Sequence, residues 1–463
     1  LEQYPLSYPL HCARWMIERS DDARETLLRI TGRRGVNASL LAGWLLSIGQ
    51  TSAVKEVLAV LDSQEALPML WRASLSDDAN ERQQFIAAAE HCHAHNVRFP
   101  NSLDEVQMLQ SLGDSAFARY LLGCFWYSKR RYDEAVSCWR ETLEKSPDYA
   151  PAHRLLGVYS WNKQQDATQA LAYLQSAVAL EPDNARFLFE LDFLQKLLAR
   201  PVHERLTTLV ERKAVVLKRD DLTAELLSLW NASGHYADAA AILDTRVFHP
   251  WEGGEGKITG QYLLNQLHRA LQFIERGTFK QATDCLKAAL RYPDNLGEGR
   301  LPGQTDNDIW YLLGYCAEQA GDAQQAAEYY QLARQGGSTL DAGRYYNDQP
   351  ADYLFWQGIA LRKSGNPAQA EQHFRHFIDW AAQHRDDVPQ VDFFAVSLPD
   401  LVVLDVSAQQ RHQQHCLFIE ALGHLGLGNV SACQQRMQQL LQINPAHDKA
   451  HLIRHALQSG IFS

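Results

Sequence analysis

Residues 308–333, "DIWYLLGYCAEQAGDAQQAAEYYQLA", decide the fold of this chain. Apolar side chains recur at helical spacing on both sides of Gly321, and this pattern predicts two helices joined by a tight turn. Gly314 and Ala326 place one small side chain in each predicted helix. A larger side chain at either position would prevent the two helix axes from approaching to the short end of the ~8 to 10 Å range of interaxial distances. We therefore predict an antiparallel hairpin of two closely packed helices.

The spacing of large and small residues in this hairpin has a second copy in the chain. Residues 119–147 carry Leu122-Gly123, Trp126, Tyr132, Ala135, Trp139 and Pro147, and residues 308–333 carry Trp310, Leu313-Gly314, Gly321, Ala326, Tyr330 and Ala333. The Leu-Gly pair, the alanine that follows it and the next aromatic residue have the same spacing in both stretches. The chain thus resembles the tetratricopeptide-repeat family. That resemblance implies an all-α, superhelical solenoid of stacked helical hairpins.

The same pattern recurs with lower fidelity along most of the chain. The predicted units lie near residues 116–149, 150–183, 220–246, 262–295, 307–336, 351–382 and 414–447, with a degenerate hairpin at 184–218 and a closing helix at 447–460 that covers the exposed end of the last repeat. Residues 1–112 are predicted to form a separate N-terminal helical region of degenerate repeats, and residues 113–463 the solenoid. The boundary rests on Pro100 and on a capping-box pattern at Ser102 and Glu105. Whether both parts join one superhelix stays open at this point.

Composition excludes several classes of partner. The net charge of −11 and the pI near 5.9 argue against nucleic acid and against an anionic membrane surface. The eight cysteines form no CxxC motif and fall mostly on apolar helical positions, which is typical of reduced, buried thiols. No apolar stretch reaches the ~18 residues that span a bilayer. We expect a cytoplasmic protein without membrane insertion. The chain begins with Leu1, so we also expect it to be part of a longer or processed protein.

Four connections are longer than a minimal repeat needs. They are residues 246–258, 291–306, 335–350 and 385–408, and each follows the second helix of one unit and precedes the first helix of the next. Because equivalent connections in a solenoid project from the same edge, we expect long inter-repeat loops along one edge. The first two carry related motifs, Gly254-Glu255-Gly256-Lys257 and Gly297-Glu298-Gly299-Arg300. The fourth overlaps "DFFAVSLPDLVVLD", a strand-like run at 392–405.

Acidic and aromatic residues are concentrated on this predicted edge. The candidate binding or docking residues are Trp251, Glu252, Glu255, Lys257, Asn295, Glu298, Arg300, Asp392, Phe393, Phe394 and Asp400. Carboxylates beside rings suit carbohydrate, and two carboxylates ~5 to 9 Å apart suit glycoside hydrolysis. The catalytic candidates under that interpretation are Glu252, Glu255, Glu298 and Asp392, with Gly253-Gly254 turning the first two to one side.

A structural interpretation of the same residues stays open beside ligand binding and catalysis. Acidic residues ahead of a helix that starts near Thr259 favour its dipole, and Lys257 and Arg300 are suitable ion-pair partners for Glu255 and Glu298. Metal binding is not predicted, because "EHCHAH" (His91, Cys92, His93, His95) and the His412/Cys416 pair each lack the four ligands of a structural zinc site. GxSxG and phosphate-loop spacings are absent from the sequence, so no cofactor is expected.

Several longer stretches resemble a bacterial YphG-like family of uncharacterised tetratricopeptide-repeat proteins. They are Glu190-Leu191-Asp192, Arg219-Asp220-Asp221, "FHPWEGGEGK" at 248–257, "YPDNLGEGRL" at 292–301 and "DFFAVSLPDL" at 392–401. The resemblance implies that a β-rich, sugar-enzyme-like region precedes the helical part in a larger protein. Two hypotheses follow. In the first, the chain is an interaction scaffold and not itself an enzyme, and its edge (246–260, 291–301, 385–405) docks that upstream domain or another protein. In the second, the chain is the helical portion of a carbohydrate-active enzyme, in which the loop carboxylates complete a sugar site shared with the upstream domain.

Overall fold

The computed structural model describes residues 3–32, 34–95, 98–343, 348–389 and 403–462. These residues form twenty-five α-helices, one π-helical turn and one 3-10 turn, and they contain no β-strand. The all-α prediction is confirmed. The chain divides into two compact units, the first comprising Leu1–Ser160 and Ala172–Leu180 and the second Trp161–Leu171 and Glu181–Ser463.

The first unit consists of short helices that pack in consecutive pairs. They are α1 (Tyr8–Glu18), α2 (Asp21–Thr31), α3 (Gly35–Ser47), α4 (Thr51–Leu61), α5 (Ala66–Leu75), α6 (Ala79–His95), α7 (Leu103–Ser111), α8 (Ala116–Ser128), α9 (Tyr132–Lys145) and α10 (Ala150–Tyr159). The predicted capping box is present at the start of α7, where Ser102 and Glu105 satisfy each other's backbone N–H groups. The boundary predicted near residue 112 lies inside this unit, between α7 and α8. That the regular repeats begin there stays a prediction.

The second unit continues the hairpins. After α11 (Ala167–Leu180), whose residues divide between the units, come α12 (Ala185–Leu197), α13 (Val202–Glu211), α14 (Lys213–Val216), α15 (Asp220–Ala232), α16 (Tyr236–Leu243), α17 (Lys257–Glu275), α18 (Phe279–Ala289), α19 (Asn307–Gln319), α20 (Ala323–Ala333), α21 (Tyr353–Lys363), α22 (Pro367–His384), α23 (Ala408–Gly426), α24 (Val430–Ile443) and α25 (Asp448–Gln458). The strand-like run predicted at 392–405 lies largely outside the described residues.

Small residues hold the hairpins closed, as the sequence predicts. A Cβ atom added at Gly314 in α19 would lie 2.6 Å from the ring of Tyr330 in α20. A Cβ atom at Gly358 in α21 would lie equally close, 2.6 Å, to the ring of Phe374 in α22. In each hairpin an aromatic ring of the second helix therefore occupies the space that a larger first-helix residue would need.

The helix predicted to close the last repeat has further contacts. We expected residues 447–460 to cover the exposed end of the α23–α24 hairpin. The helix is present as α25, but it contacts α15 and α17 as well as α24. Its polar residues explain this, since Asp448 accepts hydrogen bonds from Ser228 of α15 and Gln261 of α17. The helix predicted to cover the end of the last repeat therefore also packs against other helices of the second unit.

Candidate functional site

The first two long loops, residues 246–258 and 291–306, are in direct contact and are called the loop edge below. The backbone N–H of Phe248 donates to the carbonyl oxygen of Asn295 over 2.8 Å. The Asn295 side-chain amide donates in return to the carbonyl oxygens of Leu243 and Arg246, each over 2.8 Å. Gly297 has φ +80°, and a Cβ atom there would lie 2.6 Å from the Phe248 carbonyl oxygen. The second loop is therefore shaped to fit the first.

Glu298 connects the second loop to the start of α17. Its carboxylate oxygens accept the backbone N–H of Gly256, at 3.1 and 3.0 Å, and one also accepts the hydroxyl of the buried Thr259 at 3.3 Å. A carboxylate at a helix N-terminus satisfies unpaired N–H groups and interacts favourably with the helix dipole. The acidic residue that favours this helix start therefore comes from the neighbouring loop.

The ion pairs of the edge differ from those expected. Arg300 pairs with Asp306 and not with the helix-capping Glu298. Lys257 lies with its ammonium 5.9 Å from the centre of the Trp251 ring. The ring itself covers Gly254, where an added Cβ atom would lie 2.0 Å from a ring carbon. The Trp251 ring therefore packs between Gly254 and Lys257.

Asp220 fixes the base of the first loop. The Arg246 guanidinium donates to its carboxylate at 3.0 and 2.6 Å, and the backbone N–H of His249 donates at 2.9 Å. Its neighbour Asp221 accepts two hydrogen bonds from Arg219, at 3.0 and 2.6 Å. The Arg219-Asp220-Asp221 motif was singled out only by resemblance. Two aspartates in the first turn of a predicted helix were the local feature that marks this motif. The sequence did not show which residues would donate hydrogen bonds to them.

The acidic motif at Asp192 belongs to a buried ion-pair network. Arg205 donates to both Asp192 oxygens, at 3.0 and 2.7 Å, and to Glu225 at 3.0 Å, while Lys196 also reaches Glu225 at 2.8 Å. Although burial opposes the charge, Lys196 and Arg205 lower the pKa of Glu225 to about 2. Both partners of the central pair, Arg205 and Asp192, are 2% exposed. The network therefore holds helices together and is closed to a ligand.

A cavity of about 630 Å³ opens beside the loop edge. Among the described residues, five carboxylates and two cationic side chains line it, so this part of the lining is acidic. Its apolar wall comes from α17 and α19, through Leu263, Leu267 and Ile309, and its rings are Tyr292 and Tyr353. The volume and the mixed lining are those of small-molecule sites in proteins.

Lys449 of α25 also lines the cavity. Its ammonium lies 3.1 Å from Asp352 and 3.7 Å from Asp308. Burial alone would lower the pKa of Lys449, but the two carboxylates outweigh it and raise that pKa above its ordinary value. Burial also raises the pKa of Asp308. Sequence reasoning missed all three residues, because Lys449 and its partners are far apart in the chain and carry no shared motif.

The candidate residues named from sequence fall into three groups. Glu255, Glu298 and Arg300 line the cavity. Trp251, Lys257 and Asn295 make the loop contacts given above, while Glu252 is exposed. Asp392, Phe393, Phe394 and Asp400 lie outside the described residues. The structure thus gathers seven of the candidates at one edge, and their roles in binding stay predictions.

The candidate metal ligands have other partners. His93 is buried against the rings of Phe99, Phe117 and Tyr120. His412 contacts the carbonyl oxygen of His384 at 2.6 Å and Cys416 at 3.5 Å. Among the described ranges, no three His, Cys, Asp or Glu side chains form a group suited to a metal ion.

In the same part of the chain, no helix combines the length and apolar character needed to cross a membrane.

Comparison with known proteins agrees with the hairpin geometry. A family model described as tetratricopeptide repeat matches residues 126–185 and 267–342. Among solved structures it is similar to yeast Tom70, with 11% identity, a TM-score of 0.30, and 100% of this chain and 96% of that chain covered. It is also similar to the apo form of the quorum sensor NprR from B. thuringiensis, with 10% identity, a TM-score of 0.35, and 82% and 97% covered.

Proposed function

We propose that this tetratricopeptide-repeat chain is a protein-interaction scaffold that docks its partner through the loop edge. The observation that carries the proposal is the contact between the two loops, in which Glu298 accepts the Gly256 N–H at the start of α17 and the Asn295 amide donates to the Arg246 carbonyl oxygen of the other loop and to the Leu243 carbonyl oxygen of α16. A surface held in its bound conformation loses little entropy on association.

The exposed groups of the edge define the partner surface. Glu252 and Glu255 are exposed, and the partly buried Trp251 stands beside them. An acidic surface with an aromatic group favours a partner that presents arginine, lysine or backbone N–H groups. The resemblance noted from sequence makes a β-rich region upstream in a longer protein the first partner to test, and a separate protein the second.

Calorimetric titration of the chain with that upstream region, expressed separately, tests docking. We expect binding that Glu252→Gln/Glu255→Gln weakens at least tenfold, because the substitution removes two charges and keeps the side-chain shape. The matched control is Glu204→Gln/Glu211→Gln, which makes the same change on exposed residues of α13. If both double variants weaken binding equally, the loss of affinity comes from net charge and not from the loop edge. If the loop variant binds as tightly as the wild type, the loop edge is not the docking surface.

A second candidate function, carbohydrate binding, is favoured by the cavity beside the edge. Its acidic lining and the rings of Tyr292 and Tyr353 suit hydroxyl groups and the C–H faces of a sugar. Since Glu298 already accepts hydrogen bonds from Gly256 and Thr259, Glu255 is the carboxylate that a sugar would meet first.

Titration with a panel of mono- and oligosaccharides separates the two functions. If the chain completes a glycoside-acting site, Glu255→Gln abolishes turnover by the assembled protein but leaves association with the upstream region intact. If the edge only docks, the same variant weakens association, and no sugar in the panel binds.

A further inference from the structure

The cavity beside the loop edge is lined by three of the long connections together. The first connection contributes Glu255, the second Glu298 and the third Asp348, so each supplies a carboxylate. Connections longer than about 12 residues are uncommon in compact domains unless they carry a function or are disordered. The convergence of three such connections on one volume marks this cavity as a candidate binding site.

The two cations that line the cavity already have carboxylate partners. Arg300 pairs with Asp306, and the Lys449 ammonium lies 3.1 Å from Asp352. Because five carboxylates face these two cations among the described residues, negative charge is in excess. The lining therefore stays acidic after its internal ion pairs have formed.

The carboxylate of Asp308 is only partly satisfied. Its Oδ1 accepts the backbone N–H of Ile309 over 2.9 Å, but the Lys449 ammonium is 3.7 Å from its Oδ2, beyond hydrogen-bond distance. Within the described residues, Oδ2 therefore has no hydrogen-bond donor, although the side chain is 2% exposed. A buried carboxylate oxygen in this state favours a ligand that brings a donor.

Two further carboxylates of the lining are open to a cation. Glu298 accepts hydrogen bonds from two uncharged groups, the Gly256 N–H and the Thr259 hydroxyl. The arginine on its own loop, Arg300, is engaged by Asp306, so it does not neutralise Glu298. Glu255 is an exposed residue of the lining, where an entering ligand reaches it first.

Both tyrosine rings of the lining lie close to cations. The Lys449 ammonium is 5.2 Å from the centre of the Tyr353 ring, and the Arg300 guanidinium carbon is 5.9 Å from the centre of the Tyr292 ring. Both distances are within the ~6 Å of a cation–π contact. The carboxylates also raise the pKa of Lys449 although burial alone would lower it. The lining therefore stabilises organic cations.

We propose that the cavity binds a guanidinium or primary ammonium group, with Asp308, Glu298 and Glu255 as its anionic partners. Such a group supplies both the donors and the positive charge that the lining lacks, whereas a neutral sugar supplies donors alone. Two sources carry this chemistry, an arginine or lysine side chain of a docked partner and a free alkyl amine or guanidine. The inference rests on the binding role proposed above and names the class of ligand.

A pair of small ligands of equal shape tests the requirement for charge. The n-butylguanidinium ion carries the end group of an arginine side chain, and n-butylurea has the same shape without the charge. We expect the full chain to bind butylguanidinium with a dissociation constant of about a millimolar, as suits a ligand of so few atoms, and at least tenfold more tightly than butylurea. An NMR titration that follows the ligand signals measures both. Equal affinities, or no binding of butylguanidinium, would overturn the proposal.

Variants of the lining locate the bound cation. Glu255→Gln should weaken butylguanidinium binding at least threefold, while Asp294→Asn, which removes the same charge from an exposed residue outside the lining, should leave it unchanged. Gly260→Leu adds a side chain to the α17 wall, where an added Cβ atom meets no atom within 4 Å. Because leucine favours a helix more than glycine does, α17 stays folded, and the filled cavity should bind at least tenfold more weakly. Equal effects of Glu255→Gln and Asp294→Asn, or wild-type affinity in Gly260→Leu, would place the cation elsewhere.

The separately expressed upstream region distinguishes the two sources. If the cation belongs to a docked partner, a saturating amount of that region displaces butylguanidinium, and Gly260→Leu weakens the binding of both. If the cation is a free amine, the chain binds butylguanidinium and the upstream region together. A chain that binds the upstream region but does not prefer butylguanidinium over butylurea would keep the docking function and refute the cation site.

Discussion

Replacing Glu298 tests whether the second loop holds the start of α17. Glu298→Ala removes the acceptor of the Gly256 N–H and of the buried Thr259 hydroxyl. Loss of a helix N-terminal acceptor costs about 0.5–2 kcal/mol, and a buried hydroxyl without its partner costs about 1–3 kcal/mol. Since the two losses share one carboxylate and are not additive, we expect local destabilisation of about 2 kcal/mol.

Amide hydrogen exchange across residues 256–260 is the assay that reports this local change. Because about 1.4 kcal/mol corresponds to a factor of ten, exchange in Glu298→Ala should be roughly thirtyfold faster than in the wild type. Glu298→Gln keeps an acceptor oxygen and loses only the charge, which is worth about 0.3–1 kcal/mol at a helix end, so exchange should rise about twofold to fivefold. Glu211→Ala, at an exposed position of α13, serves as the control and should leave exchange at residues 256–260 unchanged.

Two results would refute this reasoning. Unchanged exchange at residues 256–260 in Glu298→Ala would show that the start of α17 does not depend on the neighbouring loop. A rise of the same size throughout the second unit would show that Glu298 stabilises the whole unit and not the loop contact.

Three further predictions concern the helical frame. Arg205→Ala leaves the buried Asp192 without its cation and should cost about 3–5 kcal/mol, measured as a lower thermal unfolding temperature, while Arg375→Ala, which breaks an ion pair between two exposed side chains, should cost less than about 1 kcal/mol. Gly314→Ala forces a methyl group against the Tyr330 ring and should cost about 1–3 kcal/mol, whereas Gly260→Ala, which meets no atom within 4 Å, should be neutral or stabilising by up to about 1 kcal/mol. Burial lowers the pKa of His268 and of His455 below the value in the unfolded chain. Below about pH 6.5 the unfolded chain therefore binds more protons than the folded chain, and acid favours unfolding. The urea concentration at the unfolding midpoint should fall between about pH 7.5 and pH 5.5, and it should fall less in His268→Gln.

The helical hairpins were predictable because their determinants are local. Glycine at one helix position and an aromatic residue in the next helix lie within one repeat, and the structure shows Gly314 against Tyr330 as that spacing requires. The capping box at Ser102 and Glu105 spans three residues and was equally visible. Periodicity and capping act over a few turns of chain, so a sequence pattern reports them directly.

The loop edge was predictable in part. The repeated glycine–glutamate motifs placed both loops at one edge, and the structure brings them into contact through Asn295 and Glu298. The expected pairing of Arg300 with Glu298 was wrong in detail, since Arg300 pairs with Asp306. Charge type and spacing name candidate partners, but the backbone path of each loop decides which of them come within hydrogen-bond distance.

By itself the sequence determined that the chain forms α-helical hairpins and that long loops connect some of them. Only the tertiary structure decided that α25 packs against α15 and α17, that Lys449 reaches Asp308 and Asp352, and that a cavity opens beside the loop edge. The reason is physical. Helix formation depends on neighbours three and four residues away, whereas contacts between distant segments depend on the shape and polarity of surfaces that exist only after the hairpins have stacked.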